Sequence, residues 1–211
     1  MSKKENISLS VIRRLPRYYR FLGELKKSNT LRISSAELSR IMGLTASQIR
    51  QDLNCFGGFG QQGYGYNVND LHNEIGKILG TEENLKTILI GAGNLGKTIS
   101  TQMDFNSFGF NLVGIFDIDP NLIGTNINSI CVQDVELLEV FCEKENPIVA
   151  CLCIPKEAAE EIAERLVKLG IKGFWNFSHY DMSLEYKGIA VENVHLGDSL
   201  MTLSYRVHDN L

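Results

Sequence analysis

The chain has 211 residues and a formal net charge of −4, with 44% hydrophobic and 22% charged residues. That length fits one large or two small domains, and the balance is that of a globular protein, which excludes fibrous and extensively disordered classes. No apolar run approaches the roughly 18 residues of a membrane helix. The N-terminus MSKKENISLSVIRRLPRYY has no apolar core or cleavage site of a secretory signal, so a cytoplasmic location is expected.

Cys55, Cys131, Cys142, Cys151 and Cys153 form no C-x-x-C pair. An odd, irregular set reads as buried or free thiols in a reducing compartment, and no metal site is expected. The net charge conceals a division: residues 1–80 hold 12 Lys+Arg against 6 Asp+Glu, whereas residues 81–211 hold 9 against 19. Such asymmetry points to two units with different partners, the basic one a candidate for nucleic acid.

In chain order, Val11, Leu15, Tyr18, Tyr19, Leu22 and Leu25 recur at spacings of three and four, which predicts one amphipathic helix over Ser10 to Ser28. Pro16 is tolerable in its early turns. Ser34-Ser35-Ala36-Glu37 is a capping-box pattern opening a short helix with Leu38, Ile41 and Met42 on one face, ended by Gly43. Thr45-Ala46-Ser47-Gln48 repeats the pattern and opens a helix through Asn54 with Ile49 and Leu53 apolar. Helix, tight turn, helix is the geometry of a helix-turn-helix, whose second helix enters the major groove. That helix would present Ser47, Gln48, Arg50 and Gln51, side chains that bond base edges or phosphates. The stretch from Phe56 to Tyr66 interleaves glycines with aromatics and predicts a hairpin, the wing of a winged helix. Two packed helices without nucleic acid would share the helix spacing; the wing and the positive balance favour DNA.

From residue 85 the period changes. Lys86–Ile90 is a short apolar strand running into Gly91-Ala92-Gly93-Asn94-Leu95-Gly96, followed by a helical stretch to about Asp104. Further β-like runs lie at Leu112–Asp117, Ile148–Ile154 and Gly173–Phe177, with a late one at Val191–Val194. Helical patterns fall between them, the clearest at Lys156 to Leu169, and a terminal helix from Leu196 to Val207 carries Leu196, Leu200, Leu203 and Val207 on one face. Strands alternating with helices predict an α/β domain with a parallel, Rossmann-like sheet. The expected division is a winged-helix unit at 1–80, a Rossmann unit at 81–195 and a C-terminal helix at 196–211.

Gly91, Gly93 and Gly96 match G-x-G-x-x-G between a strand and a helix, where they would make the turn, admit a pyrophosphate and let helix approach strand. Asp117, at the end of the second strand, fits the acid that bonds the adenosine ribose and disfavours NADP. Yet Gly91 to Thr98 also matches the P-loop G-x-x-x-x-G-K-[ST], with Lys97 and Thr98 in the phosphate and magnesium roles. Leu95 looks suited to burial against the sheet in the first helical turn, which favours the Rossmann reading. No catalytic constellation accompanies the loop: His72, His179, His195 and His208 have no evident carboxylate partner, and Cys151 and Cys153 read as packing residues. A small NAD-dependent oxidoreductase or a P-loop nucleotide-binding protein stays open as the second class.

Arg14-Leu-Pro-Arg-Tyr-Tyr-Arg20, Ile33-Ser-Ser-Ala-Glu-Leu38, Thr45-Ala-Ser-Gln-Ile-Arg-Gln-Asp-Leu53, Phe56-Gly-Gly-Phe-Gly60 with Gly63-Tyr-Gly-Tyr66, Gly91 to Gly96, Phe116-Asp117 and Asn176-Phe177 occur in one order along nearly the whole chain. In these the sequence resembles the Rex family of redox-sensing bacterial transcriptional repressors. The resemblance implies a homodimer that binds double-stranded operator DNA, an AT-rich inverted repeat near genes of fermentation and respiration. It implies NAD as the cofactor, with NADH releasing DNA and NAD+ permitting binding, and a C-terminal helix exchanged between subunits. For the cofactor it implies Gly91, Ala92, Gly93, Asn94, Leu95, Gly96, Gln102, Asp117, Ile154, Pro155, Asn176 and Phe177. For DNA it implies Arg14, with Thr45, Ser47, Gln48, Arg50 and Gln51 on the reading helix and Gly60, Gln61, Gln62, Tyr64 and Tyr66 on the wing. Arg14 would link the helical and cofactor domains. The chain departs from the family at Gln61-Gln62, where a basic pair is usual, at Gln51, where Lys is usual, at Gln102, where Tyr is common, and at His195, where an acid is expected.

Overall fold

The structure, a computed structural model, describes residues 7–57, 59–61 and 64–209. It separates between residues 82 and 83 into two compact units.

The first unit opens with α1 (Leu9–Ile12) and α2 (Leu15–Lys27) in place of the single expected helix. Pro16 accounts for the break. It has no N–H to donate to the Ile12 carbonyl and its ring would collide there, whereas the first turn of a new helix accommodates it. Then come β1 (Arg32–Ile33), α3 (Ser35–Met42), α4 (Ala46–Asn54), β2 (Gly60–Gln61), β3 (Gly65–Asn67) and α5 (Val68–Leu79). The expected capping box on α3 is present, with Ser34 and Glu37 exchanging bonds. The wing forms as the β2–β3 hairpin, and β1 completes an antiparallel sheet with β3 in the centre. Gln62 lies outside the described residues.

The core of this unit gathers Leu15, Tyr18 and Leu22 of α2, Leu38 and Met42 of α3, Ile49 and Leu53 of α4, and Val68, Leu71 and Ile75 of α5. Each fully buried aliphatic side chain contributes about 1.5–3 kcal/mol. Ile41, expected on the packed face of α3, is 43% exposed. Tyr66, expected to meet DNA, is instead buried in this core opposite Ile33. α5, which the sequence reading did not include, packs along α2, and His72 on it stacks on Tyr19 with ring centroids 4.2 Å apart.

The His72 Nδ1 is buried without a hydrogen-bond partner. Burial, with help from the Lys26 charge, holds its pKa below 6.5. The unfolded chain therefore takes up a proton near pH 6.5 that the folded chain resists, and stability falls as pH drops through that value. Thermal melts between pH 8 and 5 should show this loss, and His72→Phe should flatten it; an unchanged slope in the variant would remove His72 as the cause.

The second unit runs β4 (Leu85–Ile90), α6 (Asn94–Gln102), β5 (Phe110–Asp117), β6 (Asn126–Ile127), β7 (Ile130–Asp134), α7 (Leu138–Glu145), β8 (Val149–Leu152), α8 (Lys156–Lys168), β9 (Gly173–Asn176), β10 (Ala190–Asn193) and α9 (Leu196–His208). The sheet order is β10-β9-β8-β4-β5-β7-β6, parallel throughout except where β6 meets β7. The chain starts at β4 in the middle, moves outward through β5 to β7, then returns to build β8, β9 and β10 on the other side. This is the doubly wound order, and its switch point lies between β4 and β8. Alternation along β4 sends Ile88 and Ile90 into one layer with α7 and α8, and Leu89 into the other with Ile99 of α6. The large apolar side chains of α9 are exposed, Leu196, Leu200, Leu203 and Val207 among them. No helix among the described residues is long and apolar enough to cross a membrane.

Candidate nucleotide and DNA sites

The glycine loop leaves β4 at the switch point. Gly91 has φ +96°, and a Cβ there would lie 2.5 Å from the Cys153 carbonyl oxygen, so only glycine fits. A Cβ on Gly96 would lie 1.8 Å from the Gly91 carbonyl oxygen, because the first turn of α6 rests directly on the turn that leaves the strand. Gly93 caps α6, and nothing lies within 4 Å of its Cβ position. At the N-terminus of α6 that it caps, the first N–H groups have no partner within the helix and the dipole favours an anion.

Asp117 closes the loop. Its Oδ2 accepts from the Ala92 N–H at 2.5 Å, and its Oδ1 accepts from the N–H groups of Ile118 at 2.7 Å and Asp119 at 2.9 Å. The acid expected at the ribose therefore also builds the loop and fixes a negative charge at its rim.

This geometry overturns the P-loop reading. α6 starts at Asn94, so residues that a P-loop would wrap around phosphates are already its first turn. Thr98 donates its hydroxyl to the Asn94 carbonyl at 2.8 Å, and Lys97 is exposed on the helix. Leu95, expected to be buried, is 38% exposed, and Ile99 fills the sheet side one turn later.

At the carboxyl ends of the neighbouring strands, Ile154 lies with its Cγ2 2.8 Å from the Gly91 Cβ position and Pro155 caps α8. Phe177 follows β9 and packs edge-on against Trp175, centroids 4.7 Å apart. Asn176 was expected to contact the cofactor, but its amide is consumed within the protein. Nδ2 donates to the Tyr180 carbonyl at 2.6 Å and to Asn193 Oδ1 at 2.8 Å, while Oδ1 accepts from the Ser178 N–H and hydroxyl. Gln102 ends α6, about 12 Å along the axis from Asn94 at 1.5 Å per residue. There it lines a separate cavity of about 410 Å³ with Asp104, Asn111 and Asn128, apart from the glycine loop.

In the first unit, Thr45 Oγ1 caps α4 by accepting from the Gln48 N–H at 3.1 Å. The Gln48 amide was expected to face DNA or return to the cap. It donates instead to Asp52 Oδ1 at 2.8 Å. Asp52 is fully buried and also receives Nε and Nη2 of Arg14, both at 2.7 Å, and the Tyr18 hydroxyl at 2.9 Å. Burial alone would raise the Asp52 pKa; the bonds from Arg14, Gln48 and Tyr18 outweigh it and hold the carboxyl below 3.8. Burial pushes the Tyr18 hydroxyl up, and its bond to Asp52 adds to the shift. Arg14 thus ties the start of α2 to α4 within its own unit.

With Gln48 and Asp52 turned inward, the outward face of α4 is Ser47, Arg50, Gln51 and Asn54, all exposed and spaced three and four apart. Asn54 was missed from sequence, although the spacing from Ser47 and Arg50 reaches it. Arg50 Nη1 rests 3.0 Å from the Ser35 hydroxyl at the start of α3. On the wing, Tyr64 is 69% exposed and the Arg32 guanidinium lies 5.9 Å from its ring.

A helix-turn-helix with wing and polar outward face, joined to a doubly wound sheet with an open glycine cradle, defines a DNA-binding regulator with a nucleotide domain. Residues 6–54 match the family described as "Putative DNA-binding protein N-terminus" and residues 82–180 match the "CoA binding domain" family. The redox-sensing transcriptional repressor Rex of Thermoanaerobacter pseudethanolicus is 55% identical over 99% of this chain and 93% of its own. That of Clostridioides difficile is 54% identical over 97% of each. The solved structure of RSP with beta-NAD+ and operator DNA superposes with a TM-score of 0.90 at 54% identity, covering 98% of this chain and 95% of that one. RSP with beta-NADH gives 0.89 at 51% identity, covering 98% and 97%. The chain belongs to the Rex family of redox-sensing transcriptional repressors.

Proposed function

We propose that this protein is a cytoplasmic homodimeric repressor that binds an AT-rich inverted-repeat operator through the outward face of α4 and releases it on binding NADH, controlling fermentative or respiratory genes. The observation that carries the reading is the pairing of that face with a glycine cradle in a chain more than half identical to RSP, solved with operator DNA and with both nicotinamide states. Ser47, Arg50, Gln51 and Asn54 read or position on the operator, Thr45 holds the helix end, and Gly60, Gln61 and Tyr64 of the wing meet backbone or minor groove. The N-terminus of α6 takes the pyrophosphate of NAD, Asp117 repels a 2′-phosphate, and Ile154, Pro155 and Phe177 flank the nicotinamide half.

Reduction removes the positive charge of the nicotinamide, so apolar walls accept NADH more readily than NAD+. Bound NADH lowers DNA affinity only as far as it prefers the state in which the two α4 helices no longer match the half-site spacing. The α9 face supplies the subunit contact.

Anisotropy of a labelled inverted repeat, titrated without cofactor, with NAD+ and with NADH, tests the reading. Specific binding reversed by NADH alone is expected. Arg50→Ala should weaken operator binding by about 10- to 100-fold, the 1–3 kcal/mol of one base or phosphate contact, and leave NADH affinity unchanged. Absence of operator binding in the parent protein would overturn the proposal.

A further inference from the structure

Cys151 and Cys153 alternate along β8 and its extension, so both side chains face the α6 layer with Leu89, Ala92 and Phe177. Their Sγ atoms lie 3.7 Å apart. Cys151 is fully buried and Cys153 is partly open to solvent. The Cys153 N–H is anchored to the Ile90 carbonyl at 2.8 Å, and its own carbonyl is the group that bars a side chain at Gly91. The thiols thus stand against the turn of the glycine loop, where the site described above uses neither.

We propose that Cys151 and Cys153 form a redox-active dithiol, which hydroperoxides oxidise to an intramolecular disulfide, giving the dinucleotide site a second and covalent input. Cys153, the member with solvent access, attacks the peroxide: an S–O bond forms, the O–O bond breaks, and the leaving oxygen takes a proton and departs as water. The Cys151 sulfur then attacks the sulfenic sulfur, the S–S bond forms, and the hydroxyl leaves with the thiol proton as a second water. Two thiols give up two electrons and one hydrogen peroxide is reduced to two waters. The hydrogen bond with Cys153 and burial hold the Cys151 thiol up, so Cys153 is the one that meets the peroxide first.

Two residues along a strand span about 6.6 Å, inside the roughly 4.4–6.8 Å between Cα atoms that disulfides accept but at its long end. Drawing the sulfurs from 3.7 Å to bonding distance strains a pair at the long end of that range, and the Cys153 carbonyl stands 2.5 Å from where a side chain on Gly91 would begin. The strain of oxidation is thus delivered beside the loop turn. This consequence rests on the nucleotide reading; the disulfide does not.

Full-length reduced protein would be treated with stoichiometric hydrogen peroxide, alkylated and digested with trypsin, which releases residues 145–156 with these two cysteines and no other. The expected peptide is unalkylated and lighter by two hydrogens, returns to the doubly alkylated form with dithiothreitol, and accompanies a tenfold or greater loss of NADH affinity. In Cys151→Ala the disulfide should vanish and a sulfenic-acid probe should label Cys153. A peptide that stays reduced, or Cys153 carried to sulfinic acid with Cys151 still alkylated, overturns the dithiol. A disulfide with unchanged NADH affinity overturns the coupling. Reduced protein unable to bind NADH would sink the nucleotide reading, with the peptide mass still deciding the dithiol.

Discussion

Asp52→Ala should cost about 3 kcal/mol of stability and abolish specific DNA binding. One buried carboxylate receives four hydrogen bonds, from Arg14 twice, Tyr18 and Gln48, and so joins the start of α2 to the last turn of α4. Removing it strands the Tyr18 hydroxyl in the core and leaves the guanidinium without its counter-charge. Breaking a fully buried pair costs about 3–5 kcal/mol; Arg14 keeps some solvent contact, which places this pair at the low end. Operator binding suffers further because α4 loses its polar tie to α2.

Asp52→Asn keeps the shape but turns an NH2 that can only donate toward two of these donors and leaves the guanidinium uncompensated, so it should not rescue the loss. The folded pKa lies below the unfolded value of 3.8, so this stabilisation is complete above that value and is lost as pH falls through the folded one. That window is well separated from the loss assigned to His72. Urea denaturation decides the matter: a change under about 0.5 kcal/mol in Asp52→Ala would remove the pair as a stabilising element.

Gly93→Ala and Gly96→Ala should fail for different reasons. At Gly96 the new methyl would meet the Gly91 carbonyl oxygen at 1.8 Å, and since both groups are backbone, helix and strand must part. The expected result is a loss of about 3 kcal/mol or more together with nucleotide binding. At Gly93 the methyl meets nothing and the backbone needs no glycine conformation, so the melting midpoint should hardly move. The methyl would nevertheless occupy the space ahead of α6, and NADH affinity should fall at least a hundredfold. Calorimetry with NADH beside a thermal melt separates the two cases. Unaltered NADH affinity in Gly93→Ala would place the anion elsewhere.

Much of this was legible in sequence because it is written in spacing. The alternation of β4, β5, β8 and β9 and the glycines after β4 fixed sheet class and loop within a residue or two. What sequence could not give was the partner of each polar side chain. Arg14 and Gln48 look like contacts for DNA or another domain until the fold brings Asp52 between them. A signal did exist, since Asp52 sits between Ile49 and Leu53 on the apolar stripe of α4, where a lone charge needs a buried partner. α5 also had its signal in Val68, Leu71 and Ile75, hidden behind the glycines of the wing. For Gln102 and Asn176, alignment carries residue identity and not distance or partners: one lies at the far end of α6 from the loop, and the amide of the other is bonded to its neighbours.

α9 contributes no buried side chain to its own chain. A helix of 13 residues is near the limit of what persists in water unaided, so its order comes from whatever covers it. Under the proposed homodimer that cover is supplied by mass action, and it thins as the protein is diluted. The number of copies in a cell then becomes a variable of control in its own right. A sparse repressor would release its operators by coming apart, with no change in the nicotinamide pool at all.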